Sequence, residues 1–197
     1  MLLELARRPE VVRKLRAETL EKVGPEGSRR PTYGDLKNMP YLKNVINESL
    51  RLYPVVPFNM RMALKDTTLP RGGGPDGSQP IPILKETAIG YSAIIMQRDR
   101  SLYPRDDKFP DPAEFVPERW ERWHPKSWDY IPFNAGPRIC VGQQFALMEV
   151  GYVLCRLFQR YESVESRMKL GGEPRLKADG TLRPKHGVRV AFRKAKV

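Results

Sequence analysis

One of the two cysteines, Cys140, stands in a loop whose residue types and spacing could bind a metal-bearing cofactor. The loop reads Phe-Asn-Ala-Gly-Pro-Arg-Ile-Cys-Val-Gly over residues 133–142. Gly136 and Gly142 let the backbone turn and approach a flat macrocycle, because glycine has no Cβ to clash. A helix is predicted to begin near Gly142, and the positive end of its dipole favours the thiolate form of Cys140. Arg138 adds a permanent positive charge suited to a carboxylate.

These features predict a haem whose iron is bound by the Cys140 thiolate. Phe133 is expected to pack on the sulfur side of the loop and keep water from the iron–sulfur bond. Arg138 is expected to contact a haem propionate. Ala146 lies one helical turn after Gly142 on the same face, where a small side chain lets the helix lie close to the macrocycle. The alternative is a buried, unreactive cysteine in a loop that has this pattern by chance.

The loop resembles the sequence F-x-x-G-x-R-x-C-x-G of the haem-thiolate monooxygenases, the cytochrome P450 family. Two further motifs follow the order of that family. Glu48-Ser-Leu-Arg51 lies in a helical pattern over 41–53 that Pro54 ends. Residues 117–120, Pro-Glu-Arg-Trp, are similar to the family's P-E-R-F segment, with tryptophan in place of phenylalanine. Three motifs in one order identify the chain as a member of the family.

The resemblance assigns a structural role to Glu48, Arg51 and Arg119, which would form a buried triad with no part in the chemistry. Without the resemblance, Glu48 and Arg51 are one turn apart on a helix and form a surface ion pair. Such a pair stabilises a helix by only about 0.2–0.5 kcal/mol. The two interpretations differ in one observable property, which is the burial of these side chains.

The segment after Pro54 is β-like and resembles the family's strand beside the haem. By that match Val56 and Phe58 face the substrate pocket, and Arg61 is a second propionate partner. The alternative for Val56 and Phe58 is ordinary hydrophobic core.

The pattern along the chain predicts a mainly α fold with small β-sheets, an α+β class. Residues 1–197 are expected to form a single partial cytochrome P450 domain, its C-terminal portion. A helix is predicted over 2–23 with a break at Pro9, and strands over 81–84, 88–96 and 188–192. A proline-rich coil, the meander of the family, is predicted over 101–126 before the cysteine loop. The helix after that loop is predicted over 142–161, with this buried side: Phe145, Met148, Tyr152, Cys155 and Phe158.

The charge balance favours acidic partners. The chain has 35 Lys and Arg against 23 Asp and Glu, a net charge of +12 and a pI near 9.9. No nucleic-acid-binding motif accompanies this charge, so we predict no nucleic acid. The resemblance implies that a basic face with Arg138, Arg156 and Arg160 docks an acidic flavoprotein reductase, which passes electrons from NADPH. The alternative is an ordinary solvated surface.

Two cysteines do not suit a disulfide framework, and neither histidine has a partner at metal-ligand spacing, so zinc is not expected. The longest apolar run, over 88–96, is too short to span a bilayer, and this chain by itself is expected to be soluble. In a full-length relative, the resemblance implies attachment to the cytosolic face of the endoplasmic reticulum. An N-terminal anchor that precedes this chain would hold it there.

Family members are more than twice this length, so the oxygen-activating helix is expected to precede residue 1. The family's reaction inserts one oxygen atom from O2 into a C–H bond of a small apolar substrate. Residues 142–147, Gly-Gln-Gln-Phe-Ala-Leu, resemble the fungal branch that hydroxylates alkanes and fatty acids, which favours a long-chain aliphatic substrate. Two alternatives remain open, a truncated, catalytically inactive haem-binding fragment and a basic interaction module.

Overall fold

Helices precede and follow a region of paired strands in the computed structural model, which describes residues 1–104, 106, 108–168 and 175–195. The helices are α1 (Leu2–Ala6), α2 (Pro9–Lys22), α3 (Tyr33–Lys37), α4 (Pro40–Leu52), α5 (Ala93–Met96), α6 (Arg119–Arg122) and α7 (Gln143–Arg160). The strands are β1 (Phe58–Met62), β2 (Thr67–Gly73), β3 (Gln79–Ile83), β4 (Ala88–Ser92), β5 (Tyr161–Ser166), β6 (Leu176–Asp179), β7 (Thr181–Pro184) and β8 (Val190–Lys194). Short 3₁₀ turns cover Arg100–Leu102 and Gly136–Arg138.

The described strands form small antiparallel pairs, β1 with β4, β2 with β3, β5 with β8 and β6 with β7. Along the chain, the paired strands β2 and β3 lie between β1 and β4, which pair with each other. In the same way, β6 and β7 lie between β5 and β8. Helices with small antiparallel sheets confirm the predicted α+β class. No helix in the described ranges combines the length and the apolar character that a bilayer crossing needs.

The core lies where α2, α4 and α7 meet. Its fully buried members include Leu15 of α2, Val45 of α4 and Phe158 of α7. At Gly151 of α7 an added Cβ would lie 3.7 Å from a Leu42 methyl group, so the two helices pack closely there. This packing fixes the direction of α7, the helix that begins directly after the cysteine loop.

Local signals account for the helix boundaries. Pro9 begins α2, where its missing N–H removes no hydrogen bond, as predicted from the break at this residue. Thr32 and Asp35 form a capping box that begins α3. The predicted E-x-x-R helix is α4, and it ends at Leu52, two residues before Pro54. The predicted helix after the cysteine loop is α7.

Three details of the sequence interpretation are wrong. The run over 88–96 is a strand only as far as Ser92, whose hydroxyl accepts the Ile95 N–H and begins the short helix α5. The last strand, β8, covers 190–194 instead of 188–192. Phe145 does not belong to the buried side of α7, because it is 73% exposed. It lies in the first turn of α7, before the part of the helix that packs on α2 and α4.

Candidate functional site

The cysteine loop is closed by one backbone hydrogen bond, from the Cys140 N–H to the Phe133 carbonyl at 2.9 Å. Gly136 turns the chain between them with φ +65°, a conformation that glycine adopts without strain. An added Cβ at Gly136 would also lie 3.4 Å from the Trp128 ring. The Cys140 side chain is exposed at the surface of this closed loop.

Gly142 has a φ of −87°, which any residue can adopt, so the turn itself does not require glycine here. The close approach of Gly142 to a macrocycle stays a prediction. An added Cβ at Gly142 would lie 3.9 Å from the Cys140 sulfur. The Ala146 N–H donates to the Gly142 carbonyl at 2.9 Å, which places a second small residue one turn further on. Two small residues, Gly142 and Ala146, therefore lie one turn apart at the start of α7.

Exposed apolar residues flank Cys140 in the sequence. Ile139 and Val141 are its two neighbours, and Phe145 follows in the first turn of α7, where it is exposed as well. Exposed apolar residues near one reactive group are typical of a binding surface. An apolar planar group with an iron at its centre suits such a surface.

Two cations near this surface lack carboxylate partners. Arg61 of β1 is half-buried, and the only hydrogen bond of its side chain in the described residues goes to the Met60 carbonyl, at 2.9 Å. Arg138 is exposed, and it forms no ion pair with any residue that the structure describes. A half-buried guanidinium is stabilised by an acidic group of matching geometry. Both arginines therefore suit the propionates of a haem.

The structure brings the Arg61 strand and the cysteine loop together. The Tyr91 hydroxyl of β4 donates to the Asn134 side-chain oxygen at 2.8 Å. The same tyrosine ring lies 5.5 Å from the Arg61 guanidinium carbon. Neither Tyr91 nor Asn134 was predicted as a site residue. The nearest sequence signal was Phe133, the residue before Asn134, which is part of the cysteine-loop motif.

Val56 and Phe58 are both exposed and lie outside the buried core of the described residues. Phe58 and Arg61 are an odd number of residues apart on β1, so they lie on opposite faces of the strand. The Leu182 N–H of β7 donates to the Val55 carbonyl at 2.7 Å, which places the β6–β7 hairpin beside the segment that contains Val56. No local sequence signal pointed to Leu182.

Glu48 lies between two buried arginines. Its carboxylate accepts from the Arg51 Nε at 2.8 Å and from the Arg119 Nε at 3.2 Å, and the three side chains are fully buried. This burial excludes the surface ion pair that the i, i+3 spacing alone suggested. Burial disfavours the charged form of both arginines. For Arg51, the hydrogen bonds to Glu48 outweigh burial and raise the pKa. For Arg119, burial dominates and lowers the pKa.

Trp120 gives the cluster a further donor. Its indole N–H donates to Glu48 at 3.1 Å, a contact that the phenylalanine of the family's motif could not make. The Val116 backbone N–H donates to the same carboxylate at 2.8 Å. Each acceptor site of this buried carboxylate therefore has a donor, as burial of a charge requires.

Gln97 connects the cluster to the chain that leads into the cysteine loop. This fully buried side chain donates to the Arg51 carbonyl at 2.9 Å and accepts from the Ile131 N–H at 2.9 Å. Tyr130, the preceding residue, donates to the Asn47 carbonyl at 3.2 Å. These contacts hold residues 130–131 on α4, two residues before Phe133. Gln97 was not predicted as a site residue, because a single glutamine after an apolar run has no distinctive pattern.

The three arginines of the predicted basic face have different surroundings. Arg156 donates to Gln159 at 2.8 Å, and Arg160 lies 3.5 Å from Glu26. Arg138 alone of the three has no described ion-pair or hydrogen-bond partner. The geometry therefore leaves one cation beside the cysteine loop free to meet an acidic group.

A family model described as Cytochrome P450 matches residues 1–191. The chain belongs to the cytochrome P450 family. This P450 is 61% identical over 198 residues to Cytochrome P450 monooxygenase pvhE of Talaromyces variabilis, a match over 99% of this chain and 36% of that protein. It is 46% identical to Cytochrome P450 52-M1 of Starmerella bombicola, over 95% of this chain and 35% of that protein. Cytochrome P450 52A13 of Debaryomyces hansenii is 48% identical over 82% of this chain. The P450 chain spans about a third of the length of these relatives.

The two cysteines of this P450 should differ sharply in reactivity. Cys140 is exposed, whereas Cys155 is fully buried and burial raises the pKa of its thiol to about 11. Because the thiolate is the reactive form, iodoacetamide at pH 8 is expected to modify one cysteine per native chain, measured by intact mass. Cys140→Ser should reduce the modification to none, and Cys155→Ala should leave it at one. Rapid modification of both cysteines in the native chain would contradict this assignment.

Proposed function

We propose that this P450 binds haem b, iron protoporphyrin IX, through the Cys140 thiolate. The observation that carries the proposal is an exposed thiol on a closed loop, flanked in sequence by exposed apolar residues, with two arginines that have no carboxylate partner among the described residues. A cysteine thiolate is a known ligand of haem iron.

Each residue of the site has a separate task in this proposal. Cys140 holds the iron, and Arg61 and Arg138 neutralise the two propionates. Phe133 shields the sulfur from water, which keeps the thiolate a strong electron donor. Gly142 and Ala146 leave space for the ring beside α7. Bound haem would supply the oxygen chemistry, and a thiolate ligand from Cys140 would favour that chemistry by donating electron density to the iron.

We further propose that the complete protein is a monooxygenase that inserts one oxygen atom from O2 into a C–H bond of a small apolar substrate. A long-chain alkane or fatty acid is the proposed class. Val56 and Phe58 remain the proposed pocket residues, and Leu182 joins them because its hairpin lies beside Val55. Of the three, Phe58 has the weakest support, since it lies on the strand face opposite Arg61.

Electrons are proposed to come from NADPH through an acidic flavoprotein reductase. Support comes from the net charge of +12, which favours an acidic partner. For the full-length protein we propose the cytosolic face of the endoplasmic reticulum, held by an N-terminal anchor outside these residues.

The test is the reduced carbon-monoxide difference spectrum of the 197-residue chain after reconstitution with haem. A strongly red-shifted Soret band is expected, and it should disappear in Cys140→Ser because serine offers no thiolate. Cys155→Ala is the matched control and should keep the band. A band of equal position and intensity in Cys140→Ser would overturn the proposed ligand.

Two further outcomes would contradict part of the proposed function. A thiolate band with no oxidation of any aliphatic substrate, in the presence of reductase and NADPH, is the result for a catalytically inactive haem-binding fragment. The absence of a haem band in all three proteins would overturn haem binding by these 197 residues alone, and this chain would then be an incomplete enzyme.

A further inference from the structure

We propose that Tyr91 is a positioning residue that fixes the Arg61 strand to the cysteine loop and so sets the distance between two groups of the haem site. The inference rests on the proposed function, because the two groups are the proposed iron ligand and a proposed propionate partner. Tyr91 itself touches neither the iron nor the substrate in this proposal.

Tyr91 has two independent contacts. Its hydroxyl donates to the Asn134 side-chain oxygen at 2.8 Å, and its ring lies 5.5 Å from the Arg61 guanidinium carbon. In the β1–β4 pair Tyr91 is opposite Asn59 and Ile89 is opposite Arg61, so Tyr91 and Arg61 are diagonal neighbours on one face. A guanidinium over an aromatic ring is attracted by the negative face of the ring. The tyrosine therefore restrains the side chain of Arg61 directly.

Asn134 restrains the loop from the other side. It has φ +66°, a left-handed conformation that asparagine tolerates better than most residues. Its side-chain oxygen also accepts the Ala135 N–H at 3.0 Å. Glycine would adopt this conformation more readily, but it would lose both contacts. Asn134 therefore offers a side-chain acceptor through which Tyr91 of β4 restrains the loop.

The contacts form a continuous path between the two proposed haem contacts. Arg61 lies over the ring of Tyr91, and the Tyr91 hydroxyl bonds to Asn134. Asn134 follows Phe133, whose carbonyl accepts the Cys140 N–H. A rigid planar ligand held at two points requires a fixed distance between those points, and this path supplies it.

The variants separate the two contacts of the tyrosine. Tyr91→Phe removes the hydrogen bond and keeps the ring beneath Arg61, whereas Tyr91→Leu removes both. Asn134→Gly removes the acceptor and relieves the backbone. Tyr33→Phe is the matched control, since Tyr33 is exposed on α3 and has no described hydrogen bond.

Two readouts are measured on each variant, backbone hydrogen exchange of residues 133–140 without haem and the rate of haem loss to apomyoglobin. Tyr91→Phe is expected to accelerate both by roughly three- to tenfold, the effect of one lost hydrogen bond. Asn134→Gly combined with Tyr91→Phe should lose haem no faster than the greater of the single changes, because both remove the same bond. Tyr33→Phe should change neither rate.

Unchanged exchange of residues 133–140 in Tyr91→Phe would overturn the proposal, whether or not the chain binds haem. Faster exchange with unchanged haem loss, in a chain that shows the thiolate band, would also overturn it, because the loop would then be held for another purpose. If the unaltered chain shows no haem band, the proposed function fails on that result, and the exchange rates still decide whether Tyr91 holds the loop.

Discussion

Replacement of Glu48 by glutamine is expected to lower the free energy of unfolding by about 3–5 kcal/mol, the usual effect of breaking a buried ion pair. The change leaves Arg51 and Arg119 fully buried without a carboxylate, and both guanidinium groups remain charged at neutral pH. Such a loss is a large fraction of the stability of an ordinary domain. Urea denaturation of the haem-free chain, followed by circular dichroism, measures it.

Glu118→Gln is the matched control for this change. Glu118 lies in the same Pro-Glu-Arg-Trp motif, but it pairs with the exposed Lys14 at 2.5 Å and accepts from the Tyr41 hydroxyl at 2.8 Å. A partly exposed ion pair contributes about 0–1 kcal/mol, so the control should lose far less than Glu48→Gln. Equal losses for the two variants would show that Glu48 stabilises the fold no more than a surface carboxylate does.

Phe158→Ala is expected to destabilise the chain by about 3–5 kcal/mol, because truncation of a buried aromatic side chain leaves a cavity. Phe158 is fully buried in the cluster that includes Leu15 and Val45. The loss should appear as a lower midpoint of urea denaturation with an unchanged slope, since the surface exposed on unfolding stays nearly the same.

Phe145→Ala provides the comparison on the same helix and with the same residue type. Phe145 is 73% exposed, so its truncation should change the stability of the haem-free chain by no more than about 0.5 kcal/mol. A loss as large as that of Phe158→Ala would mean that Phe145 packs into the core in solution, contrary to the described structure.

Short local patterns predicted much of this molecule. Helical periodicity and the stop at Pro54 predicted α4, and the fixed residue types of the cysteine loop led to Cys140, Gly136 and Arg138. Glu48, Arg51 and Arg119 came from family motifs, and the structure places their three side chains in one buried cluster. These features were accessible because each motif lies within a few consecutive residues and requires particular residue types.

Contacts between distant segments could not be predicted from these local patterns. Tyr91 and Asn134 are 43 residues apart, and the residues around each of them do not indicate that the two side chains form a hydrogen bond. The end of β4 at Ser92 was missed because the apolar, partly β-branched residues that follow favour a strand, while the hydroxyl of Ser92 caps a helix. Phe145 was misplaced because helical spacing gives a face of the helix but not how far along the helix the core extends.

The arrangement of one strand pair inside another also bears on how this chain reaches its folded state. Met62 pairs with Ala88 across a long connection, but the β2–β3 hairpin within it pairs Thr67 with Ile83. Once that hairpin has closed, only residues 63–66 and 84–87 remain to be ordered before β1 meets β4, and the entropy lost on closure grows with the length of free chain. The β1–β4 pairing that carries Arg61 thus loses less entropy on closure when the turn at 74–78 has already formed, although this turn is no part of the proposed site.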